Sequence, residues 1–264
     1  MQEVEHQQWS WGELAAIVLS RELRDGEVGS PGGSRSEIPL AAARLAQLMH
    51  APNLSIITSA VGFVASLVDK PWSPLFHSTM DYRNLYAGTE AVMASSGVFH
   101  TRRDWFFAGA MQVDGYGNIN LSTVMLKDGT AMRGPGAAGL AYSSAMAKRF
   151  FIYMHEHSPR SFVKKLDYMT AIGHGSGPNS REKLALRGGG PALVISPRGV
   201  MDFDEQTLRL RLRSVHPGQS LAELVDQTGC DLIVPRQVPF TAPPTDMELD
   251  MLRQRVDRGG VLRH

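Results

Sequence analysis

The chain has 264 residues, a formal net charge of +1, 43% hydrophobic residues and 20% charged residues, a composition that fits one large or two small globular α/β domains. The near-neutral charge excludes bulk attraction to nucleic acid or to an anionic membrane surface, and no apolar run approaches the roughly 18–20 residues that cross a bilayer. The single cysteine, Cys230, excludes an internal disulfide and a cysteine-rich zinc site; together with a polar first segment, unlike a secretory signal, it leads us to expect a cytoplasmic protein.

In chain order, residues 1–9 read as a loose arm. Ser10-Trp11-Gly12-Glu13 is a capping box, and Trp11, Leu14, Ala15 and Val18 recur at helical spacing, so a helix is expected to about Leu23. Val28 to Ser36, rich in Gly, Ser and Pro, reads as a loop. Ile38, Ala42, Leu45, Ala46 and Met49 predict a second amphipathic helix, stopped by Pro52. Leu54 to Val64 predicts one buried strand, residues 69–83 an irregular stretch, and Asn84 to Gly97 a helix. Asp104 to Val113 then reads as a buried strand, Asp114 to Asn118 as a turn, and Ile119 to Met125 as the returning strand.

The amides of Gln112, Asn118 and Asn120 surround that turn. The loop Gly134-Pro135-Gly136-Ala137-Ala138-Gly139 carries almost no side chain, so its main-chain N–H groups can approach a ligand closely. The functional site is expected here. Further on, Arg149 to Met154, Ala192 to Ser196 and Gly199 to Phe203 read as strands, Phe162 to Tyr168 as a short element, and Gly173 to Pro178 as a loop. Thr207 to Arg213 alternates strictly, with a wet arginine face. Ser220 to Glu223 and Thr245 to Glu248 each open a helix. The alternation of strands and helices predicts one α/β domain over residues 1–264, an open, mainly parallel sheet with flanking helices.

Several short motifs carry little weight. Gly134 to Gly139 matches G-x-G-x-x-G, but Lys127 to Arg133 separates it from the preceding strand and Pro135 removes an amide, so a dinucleotide site is not expected. Ser161-Phe-Val-Lys164 lacks the companion motifs of an acylating serine, and Ser176 lies in Gly-Ser-Gly, not in a nucleophile elbow. His155 and His157 lack a third metal ligand; no metal is expected. Lys164 and Lys165 read as a solvated pair, and Cys230 as a small buried residue.

Six stretches in order are Gly109 to Asn120, Gly134 to Gly139, Lys165 to Thr170, Gly199 to Asp204, His216 to Gly218 and Thr228 to Asp231. Together, over nearly the whole chain, they resemble the β-subunit of class I coenzyme A transferases, the glutaconate type above all. The resemblance implies a CoA-transferase fold and an α-subunit partner of similar fold in a heterodimer or heterotetramer. It also implies an interfacial active site and an acyl-CoA substrate, with coenzyme A present as part of that substrate and no bound cofactor. It implies oxyanion-stabilising amides at Gly136 and Ala137, and substrate or CoA contacts from Gln112, Asn118, Gly134, Gly136, Ala137, Ala138 and Gly139.

The family's nucleophilic glutamate falls at Ser59, and no Asp, Glu or Cys occurs from Asn53 to Val68. A serine cannot replace that carboxylate without an activating base. A retained amide loop without the glutamate favours retro-Claisen C–C hydrolysis or decarboxylation of a CoA ester over transfer. The alternatives are a transferase with its nucleophile elsewhere, at Glu37 or Glu90, and a scaffolding β-subunit without catalysis.

Overall fold

The computed structural model describes residues 8–32, 37–58, 63–65, 85–87 and 103–263. It divides into two compact units, residues 1–107 with 242–264, and residues 108–241.

In the first unit, α1 (Trp11–Arg21) starts on the expected reciprocal cap: Glu13 N–H donates to Ser10 Oγ at 3.1 Å, and Ser10 N–H to the Glu13 carboxylate at 3.0 Å. Leu14, Ile17 and Leu19 are buried on α1, and Leu40 and Leu45 on α2 (Glu37–Met49), which packs against it. Each such side chain contributes about 1.5–3 kcal/mol on leaving water. The C-terminal helix Asp246–Met251 has the second reciprocal cap, at Thr245 and Glu248. Glu248 receives Arg21 on both carboxylate oxygens at 2.7 Å, and Arg253 grips Glu13 at 2.7 and 2.9 Å.

The strands of this unit depart from expectation in three places. Val28 to Ser30 is a strand, β1 (Val28–Ser30), not a loop. It lies parallel between β2 (Ser55–Thr58) and β5 (Trp105–Gly109), with Gly29 opposite both Ile56 and Trp105. A Cβ on Gly29 would sit 2.2 Å from the Trp105 ring, so the small residues that resembled a turn signal are a packing requirement. The described residues of the apolar run from Leu54 to Val64 belong to two strands: β2 pairs antiparallel with β3 (Phe63–Ala65), Thr58 opposite Phe63. An apolar run does not by itself state strand direction. Residues 85–87 form β4 (Leu85–Ala87), antiparallel to β3, where a helix was expected; the rest of the stretch from Asn84 to Gly97 lies outside the described residues.

In the second unit, β10 (Arg149–Tyr153) runs parallel to β11 (Pro191–Ile195), and β12 (Gly199–Phe203) and β13 (Leu210–Val215) follow antiparallel. Phe150, Phe151, Ile152, Leu193, Val194, Ile195, Met201 and Leu212 form its buried centre. The α/β class therefore holds: a mixed sheet with parallel central pairs and flanking helices. β13 begins at Leu210 and not at Thr207, because Asp204 Oδ1 captures Thr207 through both N–H and hydroxyl, at 2.8 and 2.7 Å. The arginine face is paired within the chain, Arg211 with Asp202 at 2.7 Å and Arg209 with Asp231 at 3.0 Å. Among the described residues no helix is long and apolar enough to cross a membrane.

Candidate functional site

The long hairpin expected at residues 104–125 is two short ribbons. The apolar run breaks after β5. β6 (Gln112–Val113) pairs with β7 (Ile119–Asn120), and β8 (Thr123–Met125) with β9 (Ala131–Arg133). Asn120 makes the break. Its Oδ1 accepts the N–H groups of Ser122 and Thr123 at 3.0 and 3.2 Å, a side-chain turn that ends β7 and redirects the chain into β8. The stretch from Lys127 to Arg133, expected to be a mere spacer, is the tip and return strand of the second ribbon.

Between β6 and β7 the turn closes on Asp114. Its Oδ1 accepts the N–H groups of Tyr116 and Asn118 at 2.9 and 3.0 Å, and its Oδ2 the Asn118 amide at 2.8 Å. Burial raises the pKa of Asp114, and the Asn118 amide and the two main-chain bonds oppose that rise. Asn118, 1% exposed, also donates to Gly175 O at 2.8 Å and accepts from the N–H groups of Gly173 and Gly175 at 2.8 and 3.1 Å. Gln112, 4% exposed, donates to Asp167 Oδ2 at 2.8 Å and accepts from Asn120 and from Asp167 N–H at 2.8 and 3.1 Å. Both amides, expected to touch substrate, have their polar atoms engaged by protein partners.

The Gly/Ala loop leaves directly from β9. Gly134 N–H donates to Ser122 O at 2.8 Å and Gly136 N–H to Leu121 O at 3.0 Å, while Pro135 has no N–H to offer. Gly136, expected as an oxyanion donor, thus has its amide turned into the protein. Among the described residues, the N–H groups of Ala137, Ala138 and Gly139 have no protein acceptor. The glycines differ in purpose. A Cβ on Gly134 would strike Leu121 O and Met111 Sδ, both at 2.4 Å, whereas Gly136, at φ +93°, faces open space. Ala138 stands in the left-handed region at φ +43°, which costs an L-residue roughly 1–2 kcal/mol. Strain of this kind is found where surrounding structure imposes a functional geometry.

Beyond the loop comes α3 (Leu140–Met146), which was not expected from the sequence. Arg181 secures it, donating to Ser144 O, Gly173 O and Gly188 O, each at 2.8 Å. The turn, the 173–175 segment and the end of α3 thereby share one set of buried hydrogen bonds.

His157 is buried between Ser196 Oγ at 2.7 Å and Thr228 Oγ1 at 2.9 Å, and burial lowers its pKa to about 4. His155 is exposed. Ser161 caps its own turn, and Ser176 is exposed. Cys230 is buried, and burial pushes its thiol up to about 12. Among the described residues no group of His, Cys, Asp and Glu is arranged to hold a metal. Ser59 lies outside the described residues. Asn120 was singled out in the sequence; the residues that direct reading gave no role are Asp167 and Thr170. The available signal was their place in the stretch Lys165 to Thr170, one of the six that carry the resemblance.

Fold and loop define an α/β protein that presents a cluster of main-chain N–H groups at the end of a β-ribbon. The chain belongs to the coenzyme A transferase family, whose model, described as "Coenzyme A transferase", matches residues 13–227. The B-subunit of glutaconate CoA-transferase from Acidaminococcus fermentans is 31% identical over 258 residues, 94% of this chain and 92% of that protein. The crystal structure of that glutaconate coenzyme A-transferase superposes with a TM-score of 0.82 at 27% identity, covering 98% of each chain. The B-subunit of 3-oxoadipate CoA-transferase from Pseudomonas knackmussii is 30% identical over 93% of this chain and 92% of its own. The cholesterol ring-cleaving hydrolase IpdB subunit of Rhodococcus jostii is 28% identical over 83% of this chain and 82% of its own.

Proposed function

We propose that this chain is the β-type subunit of a two-subunit enzyme acting on an acyl-CoA thioester, and that its 137–139 amides receive the thioester oxygen. One observation carries the reading. Of the loop's five N–H groups, those of Gly134 and Gly136 are tied to the ribbon and those of Ala137, Ala138 and Gly139 have no acceptor among the described residues. Preorganised amides of this kind stabilise charge that develops on oxygen during reaction. Coenzyme A enters as part of the substrate. Both transferase relatives are named as one subunit of a larger enzyme, which supports a partner subunit for this chain.

The reaction favoured is cleavage of a carbon–carbon bond, by retro-Claisen hydrolysis or decarboxylation, over CoA transfer. Support comes from Ser59, which the resemblance puts at the family's carboxylate position, and from a relative named as a ring-cleaving hydrolase subunit. In hydrolytic cleavage, water adds to the ketone carbonyl β to the thioester, and the bond from that carbonyl carbon to the thioester's α-carbon breaks. The electron pair passes into the thioester as an enolate, whose oxygen the loop holds, and a proton then returns to the α-carbon. Decarboxylation forms the same enolate with loss of carbon dioxide. The base for water is expected from the partner subunit.

The test is to incubate the assembled two-subunit complex with acyl-CoA, digest it and weigh the peptides of this chain. The expected result is turnover with no covalent acyl or CoA adduct on the peptide spanning Leu54 to Val64, and most activity retained in Ser59→Ala. An adduct there, lost together with activity in Ser59→Ala, overturns the reading and restores covalent transfer.

A further inference from the structure

The segment Lys165 to Thr170, prominent in the sequence, has no place in the proposed chemistry, yet it grips the β8–β9 ribbon at both ends of β8. Asp167 Oδ2 accepts Met125 N–H at 2.9 Å on β8. Thr170, 5% exposed, reaches the other end of the same ribbon. Its Oγ1 accepts Leu121 N–H at 2.8 Å and lies 2.8 Å from Ser122 Oγ. Leu121 and Ser122 are the two residues whose carbonyls hold the loop, Leu121 O receiving Gly136 N–H and Ser122 O receiving Gly134 N–H.

We infer that Thr170 is a positioning residue, which sets the direction of the 137–139 amides through the Leu121–Ser122 backbone; this rests on reading those amides as the oxygen-accepting element. Three features support it. First, the Thr170 backbone is itself fixed. Its N–H donates to Ile119 O at 2.9 Å, and Ala171 and Ile119 exchange both their main-chain bonds at 3.0 and 3.1 Å. The hydroxyl is therefore anchored to β7 and not to a mobile loop. Second, threonine is β-branched and stiff about χ1, so the oxygen keeps its place. Third, a hydroxyl has one proton and two acceptor sites. Leu121 N–H takes one acceptor site, and Ser122 Oγ at 2.8 Å and Asn120 Oδ1 at 3.5 Å share what remains. The N–H and the carbonyl of Leu121 lie in adjacent peptide planes joined at its Cα, so a shift of this residue moves both, and with the carbonyl the Gly136 amide. The chain of contacts thus runs from Thr170 to Leu121 and Ser122, then to Gly134 and Gly136, and so to the amides that follow. Thr170 touches no substrate in this scheme and acts only through the main chain.

The experiment compares Thr170→Val, of the same shape without the hydroxyl, with Thr170→Ser, which restores the oxygen. Amide hydrogen exchange at Gly134 and Gly136 is followed in the full chain, and kcat and KM for an acyl-CoA in the assembled complex. Loss of one anchoring bond is expected to speed exchange at both glycines roughly five- to tenfold in Thr170→Val. It is also expected to lower kcat about tenfold or more with KM little changed, while Thr170→Ser recovers both. Unchanged exchange at Gly134 and Gly136 in Thr170→Val overturns the inference, whatever the loop does chemically. Faster exchange with unchanged kcat keeps the anchor but overturns the loop's proposed role, and the inference falls with it. If Thr170→Val does not fold, Thr170→Cys, with a weakly accepting thiol of similar size, is read the same way.

Discussion

Asn118→Ala separates a structural anchor from a ligand contact. In the folded chain Asn118 makes four side-chain hydrogen bonds and is 1% exposed. Truncation leaves the buried Gly173 N–H without an acceptor, at about 1–3 kcal/mol, and the half-buried Gly175 N–H at about 0.5–1.5 kcal/mol. It also takes a donor from Asp114, a bond to a charged group worth about 1.5–3 kcal/mol. These terms are coupled and do not add fully, so the expected loss is about 3–6 kcal/mol, a large part of the roughly 5–15 kcal/mol that holds a domain folded. Denaturant unfolding of the purified variant reads it as a lowered midpoint with little change in slope. Asn118→Asp should be worse, since it sets a second carboxylate against Asp114, and it should recover partly as pH falls and one of the pair takes up a proton. A wild-type unfolding midpoint with weakened acyl-CoA binding in Asn118→Ala would refute the reasoning and return Asn118 to the ligand.

Burial holds His157, His174 and His216 neutral, each lowered from 6.5 to about 4. The unfolded chain therefore binds more protons below about pH 6.5, so stability is complete above that value and falls as pH drops toward about 4. Between about pH 7 and 5.5, above the usual carboxylate range, each imidazole should remove about 1.2 kcal/mol; a flat unfolding free energy over that interval would contradict the assignment. Ala138→Gly relieves a left-handed alanine worth roughly 1–2 kcal/mol and adds unfolded-state entropy worth about 0.4–1 kcal/mol, so thermal unfolding should show a net gain of about 0–1.6 kcal/mol, and a clear loss would mean that Ala138 is not strained. Gly29→Ala drives a methyl into the Trp105 ring and should cost about 3 kcal/mol or more, read by denaturant unfolding; a neutral effect would show that β1 and β5 do not pack as described.

The helices were legible because their signals are local. Ser10 with Glu13 and Thr245 with Glu248 declare a start within four residues, and both caps are formed as expected. β10, β11 and β12 were legible as apolar runs of the right length. The misses at β1 and β2–β3 have one cause: what decided them lies far along the chain. Gly29 is glycine because of Trp105, and the direction of the 54–64 run is set by strand pairing, which its own composition does not encode. At the site, the loop was legible through its lack of side chains, but the use of each amide was not. Which N–H groups remain available depends on Leu121 and Ser122 offering their carbonyls to Gly136 and Gly134, and that follows from the Asn120 turn. The protein partners of Gln112 and Asn118 were hidden in the same way. An amide near a turn reads alike whether it faces solvent or, as here, Asp167 and Asp114.

The proposal that the 137–139 amides receive the thioester oxygen is tested most directly by infrared difference spectroscopy of a carbonyl-labelled acyl-CoA bound to the assembled complex. The account predicts that the labelled stretch moves to lower wavenumber on binding, because hydrogen bonds weaken the C=O bond. In Ala137→Pro, which deletes one N–H, the shift should shrink and kcat should fall by about 10²–10³. An unshifted carbonyl, or a full shift with normal turnover in a folded Ala137→Pro complex, would contradict it.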